Sequence, residues 1–301
     1  MTLDEIKQRL ADVVAIVPTP FNSENAIDAN AHRSVVGRLT DGGISVLTAN
    51  GNTSEFYTLT EAEIQQGVTL TVEAMAEGSL LLAGVGFDID TAIRQAHFAR
   101  DHGAHAIMIH QPVHPYVSRQ GWVAYNRIIA EAVPELGVVP YVRNPLLEAT
   151  DFNVLIEACP NVMGVKYSVP DPVRFGTVAR EVGIERITWI AGLAEPAAPG
   201  YAAMGAHGFT SGLASIAPEL SRTMSDSLRE GDFPAAMEIW DSVREFEQVR
   251  AEQGSADNVS AVKEALSQLG LGRADVRPPG ARLSPENRQR VARILETWGL
   301  L

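Results

Sequence analysis

The decapeptide NVMGVKYSVP, Asn161 to Pro170, decides how the rest of the chain is read. Val162, Met163, Gly164 and Val165 make a short apolar run after the turn-forming Cys159, Pro160 and Asn161, which is the pattern of a buried strand. A helical segment follows it, and the same strand-then-helix unit recurs in both directions. Upstream lie VVAIVPTPF (13 to 21), halted by Pro18 and Pro20, then ISVLTAN (44 to 50), SLLLAGVG (79 to 86), AHAIMIH (104 to 110) and GVVPYV (137 to 142). Downstream lie ITWIAG (187 to 192) and GFTSG (208 to 212). Helical spacing fills the intervals, and Thr60 to Glu63 forms a capping-box sequence at the start of one of them.

The strand ends fall near residues 18, 49, 85, 110, 141, 166, 191 and 211, with no proline-, serine- or charge-rich linker between them. That rhythm predicts an α/β fold, a (β/α)8 TIM barrel of eight strand-helix units. An open doubly wound sheet is the competitor. It lacks G-x-G-x-x-G after the first strand, and GVGFD after the third is too short a match. From Glu219 onward strands stop, and helices are expected over 219 to 230, 233 to 252, 256 to 268 and 284 to 298. The organisation is therefore a barrel over residues 1–218, with 219–301 supplying the last barrel helix and a C-terminal helical extension.

A chain of 301 residues, 46% hydrophobic and 20% charged, can bury a sizeable core. The net charge of −13 argues against nucleic acid and against an anionic membrane surface as partners. It leaves room for an anionic small molecule, because a few local donors outweigh a distant, screened field. The single cysteine, Cys159, excludes an internal disulfide and suits a reducing compartment. No run approaches the length of a membrane span, and MTLDEIKQRLADVV lacks the apolar core of a signal peptide, so a soluble cytoplasmic protein is expected.

Only three of the 24 basic residues are lysines: Lys7, Lys166 and Lys263. Lys166 ends the sixth strand, where such barrels carry their active sites. A partly dry barrel mouth favours the neutral amine, which is a nucleophile toward carbonyl carbon. The alternative is an edge-strand lysine that snorkels to water or closes an ion pair. Alternation places Val139 and Tyr141 on one face of the fifth strand and Val162, Gly164 and Lys166 on one face of the sixth. Strands lie about 4.8 Å apart, so Tyr141 can shuttle protons beside Lys166 or pack in the barrel's top layer. After the second strand, Gly51 permits close backbone approach, while Asn52, Thr53, Ser54 and main-chain N–H groups can grip a carboxylate. A plain polar turn has the same composition. The fourth strand runs into HQPVHPY (110 to 116), whose prolines exclude a helix bringing His110 and His114 to one face. No carboxylate or cysteine joins them, so no metal is assigned there, and His114 or Tyr116 reads as a polar lid residue. Trp189 and Trp240 read as core or interface, and Arg174, Arg180 and Arg186 as solvated helix charges.

Taken together, VPTPF (17 to 21), GNTSEFYTL (51 to 59), PYVRN (140 to 144), GVK (164 to 166), KEAL (263 to 266) and VRPP (276 to 279) resemble the dihydrodipicolinate synthase and N-acetylneuraminate lyase family of lysine-dependent class I aldolases and dehydratases. The resemblance spans nearly the whole chain. It implies that Lys166 forms a Schiff base with pyruvate or another 2-keto acid and that Tyr141 relays protons. It also implies that Gly51, Asn52 and Thr53 hold the pyruvyl carboxylate, and that Ser211 is among the substrate contacts. There are three departures. Asn52 stands where the family usually has threonine. His114, with Tyr116 as a possible substitute, falls where a second tyrosine is usually lent across a dimer interface. Arg143 comes two residues after Tyr141, as in the deoxy-keto-sugar-acid dehydratases and not as in the synthases. The implied activity is a Schiff-base lyase, dehydratase or retro-aldolase, acting on a 2-keto-3-deoxy sugar acid. The alternatives are a synthase-type condensation of pyruvate with an aldehyde, or a keto-acid-binding homologue without turnover. No metal or organic cofactor is implied, and a homotetramer or homodimer is.

Overall fold

All eight expected strands form: β1 (Val13–Ile16), β2 (Val46–Ala49), β3 (Leu80–Val85), β4 (Ala106–Ile109), β5 (Gly137–Val142), β6 (Gly164–Tyr167), β7 (Thr188–Ala191) and β8 (Gly208–Ser211). The computed structural model describes all 301 residues. The strands are parallel where their register is defined, and they close in chain order into a barrel. Nearly every strand residue is buried, as continuous apolar runs in a parallel sheet covered on both faces require. The continuous sixth strand begins two residues later than the apolar run, although Val162 already makes a parallel bridge to Val138 and Met163 N–H donates to Val138 O.

The helices between strands are α1 (Leu3–Arg9), α2 (Ala29–Asp41), α3 (Glu61–Ala74), α4 (Ile89–Asp101), α5 (Arg119–Glu131), α6 (Ala149–Ala158), α7 (Pro172–Val182) and α8 (Ala194–Ala203). After β8 come α9 (Pro218–Glu230), α10 (Phe233–Ser255), α11 (Asn258–Gln268) and α12 (Pro285–Thr297). The capping box starting α3 is present: Glu63 N–H donates to Thr60 Oγ1, and Thr60 N–H donates to the Glu63 carboxylate at 2.9 Å. Helical geometry in α10 stops at Glu252, with Gln253 and Gly254 left-handed at φ 53° and 66°. No helix is long and apolar enough to cross a membrane.

Two compact units share the chain, residues 1–14 with 80–210 and residues 15–79 with 211–301. In the first, β4 to β7 pair in a register that sets Tyr141 opposite Lys166 and Lys166 opposite Ile190. Behind these strands Phe152, Tyr167, Phe175, Trp189 and Tyr201 form a chain of edge and tilted ring contacts with centroids 5.1–6.4 Å apart. Such pairs add a few tenths to about 1.5 kcal/mol each beyond area burial. Trp189 is thus core, whereas Trp240 on α10 is half-buried with Arg244 over its ring. Of the three arginines expected to be solvated helix charges, Arg180 and Arg186 are exposed and Arg174 is half-buried, and each also makes a hydrogen bond. Arg174 Nη2 donates to Leu147 O, Arg180 Nη1 to Met204 O and Arg186 Nη1 to Asn153 Oδ1, each at 2.9 Å. For Arg174 and Arg180 the guanidinium reaches main-chain carbonyls beside a turn or helix end, and for Arg186 a side-chain amide oxygen.

In the second unit, Arg38 of α2 donates through Nε and Nη2 to Ile216 O at 2.9 and 2.6 Å, tying that helix to the turn after β8. Helices α10 and α12 are joined by a Phe246–Trp298 edge contact and by Asn287 Nδ2 donating to Glu252 Oε2 at 2.7 Å.

Candidate active site

In the first unit, the third residue of β6 is Lys166, only 3% exposed. Its Nζ lies over the ring of Tyr141, 4.5 Å from the centroid. No carboxylate pairs with it. Burial first, and then the positive charge of Arg143, drives the ammonium down from 10.5 to about 7, so a large share of the amine is neutral near neutral pH. Room for the lysine stem depends on Gly192 just after β7. A Cβ there would meet Ser168 Oγ at 1.9 Å and Lys166 Cγ at 3.0 Å. Gly192 is fixed in turn by its N–H donating to Tyr167 O at 2.7 Å and by Ser168 Oγ donating to its carbonyl at 2.9 Å.

Tyr141 is buried, and its carbonyl accepts from Gln111 Nε2. The buried His110 ring stands edge-on to the Tyr141 ring, with centroids 6.4 Å apart. Arg143 is exposed two residues beyond. His114 lies in an exposed loop. Its Nδ1 accepts from Tyr116 N–H at 3.2 Å, and Tyr116 itself is 86% exposed. The two histidines therefore occupy unlike environments, one inside β4's end and one in solvent.

In the second unit, the turn after β2 runs between two left-handed residues, Asn50 at φ 60° and Glu55 at φ 61°. Gly51 N–H donates to Ser54 Oγ at 2.9 Å, and Ser54 Oγ donates to Val17 O. Thr19 Oγ1 donates to Ser54 O at 2.8 Å. A Cβ on Gly51 would stand 2.5 Å from Ile16 Cγ2, so only glycine lets the turn sit this close to β1. The N–H groups that close the turn are those of Gly51, Ser54, Glu55 and Phe56.

Glu55 anchors the far side of the turn. Lys263 Nζ donates to its Oε1, and Arg277 N–H donates to its Oε2 at 2.8 Å. Lys263 also donates to Asp275 O at 2.8 Å, and both cations lie over the Phe21 ring at 4.0 and 4.1 Å. The Arg277 guanidinium pairs with Glu63 and holds that carboxyl down to about 2. Ser211 is fully buried, its Oγ accepting from Ala214 N–H at 2.8 Å and lying 3.2 Å from Ser221 Oγ. Its hydroxyl is committed to the turn after β8, which leaves its main chain as the group it can offer a ligand.

Sequence reasoning set Lys166 beside Tyr141, and the structure brings them together. It missed Gly192, Ser168 and the Lys263–Glu55 pair. The signal for Lys263 was present, since scarcity marked it as much as Lys166.

A parallel (β/α)8 barrel thus carries a buried lysine, without a carboxylate partner, at the end of β6, and its class is that of the aldolase-type barrel lyases. The sequence model of the dihydrodipicolinate synthetase family matches residues 9–298, and the chain belongs to that family. Among curated relatives, a protein of Methylobacterium radiotolerans named probable 5-dehydro-4-deoxyglucarate dehydratase is 31% identical, with 98% of each chain covered. Among solved structures, the dihydrodipicolinate synthase of Oceanobacillus iheyensis is 34% identical with a TM-score of 0.94, covering 99% of this chain and 100% of that one. The dihydrodipicolinate synthase of Bacillus clausii is 36% identical with a TM-score of 0.93, covering 98% and 99%.

Proposed function

We propose that this protein is a Schiff-base-dependent lyase of the class I aldolase type acting on a 2-keto-3-deoxy sugar acid, with Lys166 as nucleophile. The observation that carries this reading is the buried Lys166 amine, without a carboxylate partner, over the ring of the tyrosine in register with it. Lys166 Nζ adds to the C2 carbonyl, and the carbinolamine loses water to give a protonated imine. The imine draws electrons from C3. Loss of the C3 proton then expels the C4 hydroxyl as water, or the C3–C4 bond itself breaks; hydrolysis of the imine frees the lysine. Tyr141 carries protons to and from these centres. Main-chain N–H groups of Asn52 and Thr53 hold the substrate carboxylate, Gly51 lets the turn approach it closely, and the main chain of Ser211 serves the same role. Arg143 pairs with a second carboxylate or a distal hydroxyl, and His114 or Tyr116 covers the substrate. The protein acts as a homodimer or homotetramer in the cytoplasm and needs no metal or organic cofactor.

Dehydration is favoured over condensation by the dehydratase name of the relative at 31% identity and by the spacing of Arg143 from Tyr141. The second reading, synthase-type condensation, rests on the names of the two solved relatives at 34% and 36%. A panel of 2-keto-3-deoxy sugar acids, 5-dehydro-4-deoxyglucarate among them, separates the two when products are read by mass spectrometry. Borohydride added with substrate should leave a reduced adduct on Lys166, absent from Lys166→Ala. An adduct that survives that substitution, or no adduct with any keto acid, would sink the mechanism.

A further inference from the structure

We propose that Lys263, Glu55 and Arg277 form a positioning device for the carboxylate-binding turn, so that the C-terminal segment sets the affinity for the substrate's carboxylate. This rests on the reading of the Gly51 to Thr53 turn as the carboxylate holder.

Three observations support it. Both oxygens of Glu55 are engaged, one by Lys263 Nζ and one by Arg277 N–H, although Glu55 lies far from both in sequence. Glu55 is left-handed at φ 61°, a conformation costing a non-glycine residue about 1 kcal/mol or more, so something must hold it there. Lys263 is itself fixed on three sides, by Glu55, by Asp275 O and by the Phe21 ring, and Arg277 reaches the same ring and Glu63. Burying such a pair is costly, and an apolar replacement of similar volume is often as stable or more so. Stability alone therefore gives no reason for the Lys263–Glu55 pair as a whole over an apolar pair of the same volume. Orientation does give one. With the Glu55 carboxylate fixed at both oxygens, the backbone of the turn has one rotation, and the N–H groups of Asn52 and Thr53 keep one direction. Burial pushes Lys263 down to about 8 while Glu55 favours its charged form, so the fixing charge is present at neutral pH.

The test uses two carbonyl compounds. Pyruvate needs the turn; acetone, which lacks a carboxylate, needs only the amine of Lys166. Borohydride trapping is measured against the concentration of each, in the parent protein, Lys263→Met, Glu55→Gln and Lys263→Arg. In Lys263→Met and Glu55→Gln the pyruvate concentration for half-maximal trapping should rise about tenfold to a hundredfold, with acetone trapping unchanged. Lys263→Arg, which can still pair with Glu55, should recover part of the loss. Should Lys263→Met fail to fold, Glu55→Gln, which keeps the side-chain shape, carries the same comparison. Equal loss for both compounds, or unchanged pyruvate trapping, overturns the positioning role. A parent protein that traps acetone but not pyruvate removes the carboxylate-holding role of the turn. One that traps neither removes the Lys166 mechanism, and either result overturns the positioning role with it.

Discussion

Lys166 and Lys263 are equally buried, at 3% and 2% exposure, and lie in opposite electrostatic surroundings. Burial drives both downward, to about 7 and about 8. The difference lies in what opposes the burial. Around Lys166 nothing does: the next contribution is the positive charge of Arg143, which pushes in the same direction, and the nearest ring is that of a tyrosine. Around Lys263 the Glu55 carboxylate favours the ammonium, and a backbone carbonyl and a phenyl face receive it. Desolvation with a counterion keeps a buried amine charged, and desolvation without one leaves it free to be neutral, which is what the proposed nucleophile requires.

Methionine at each position should give opposite signs. In the folded protein Lys166 titrates near 7, against 10.5 for an ordinary lysine. Below pH 7 the fold must carry a buried charge that the unfolded chain solvates freely, so the penalty is fully present there. It disappears as pH rises from about 7 to 10.5. Lys166→Met should accordingly stabilise the protein most below pH 7, by at most about 5 kcal/mol, with the gain fading toward pH 10. Lys263→Met strands the Glu55 carboxylate and should cost about 3–5 kcal/mol at pH 7. Thermal unfolding at pH 6 and pH 9 reads both, and the same sign at the two sites would break the comparison.

The barrel was legible because a buried parallel strand is a short apolar run and eight of them recur in register with the helices, as GVVPYV and ITWIAG show. The Lys166–Tyr141 pair was legible for a related reason: period-two alternation assigns faces, and strand pairing then fixes neighbours. What sequence did not give was set by contacts between distant segments. Gly192 looks like any glycine after a strand until the Lys166 stem is beside it. Glu55 and Lys263 are 208 positions apart, and nothing local joins them. Ser211 sits at the right strand end, yet its hydroxyl is taken by Ala214, which composition cannot reveal.

Tyr141→Phe sharpens the comparison on the side of Lys166. It keeps the aromatic ring beneath Nζ and removes the hydroxyl, so burial of the amine is retained and trapping by borohydride should persist with its acid limb still near pH 7. Turnover should fall about 10² to 10⁴-fold if the hydroxyl moves the protons. Unimpaired turnover would assign that work elsewhere, with the edge-on His110 ring as the first group to test.

The smallest effect is expected from Arg143→Gln. Arg143 is the second cause of the lowered Lys166 value, after burial, and its guanidinium is exposed. Removing a nearby positive charge relieves the repulsion on the ammonium, so the acid limb of pyruvate trapping must move upward. The move should be about a few tenths of a pH unit, because solvent and salt screen an exposed charge. It should shrink further at high salt, which distinguishes a charge effect from a change in packing. A limb that stays in place at low salt would mean that burial alone prepares Lys166. In that case the contrast with Lys263 reduces to one term, the Glu55 carboxylate that one lysine has and the other lacks.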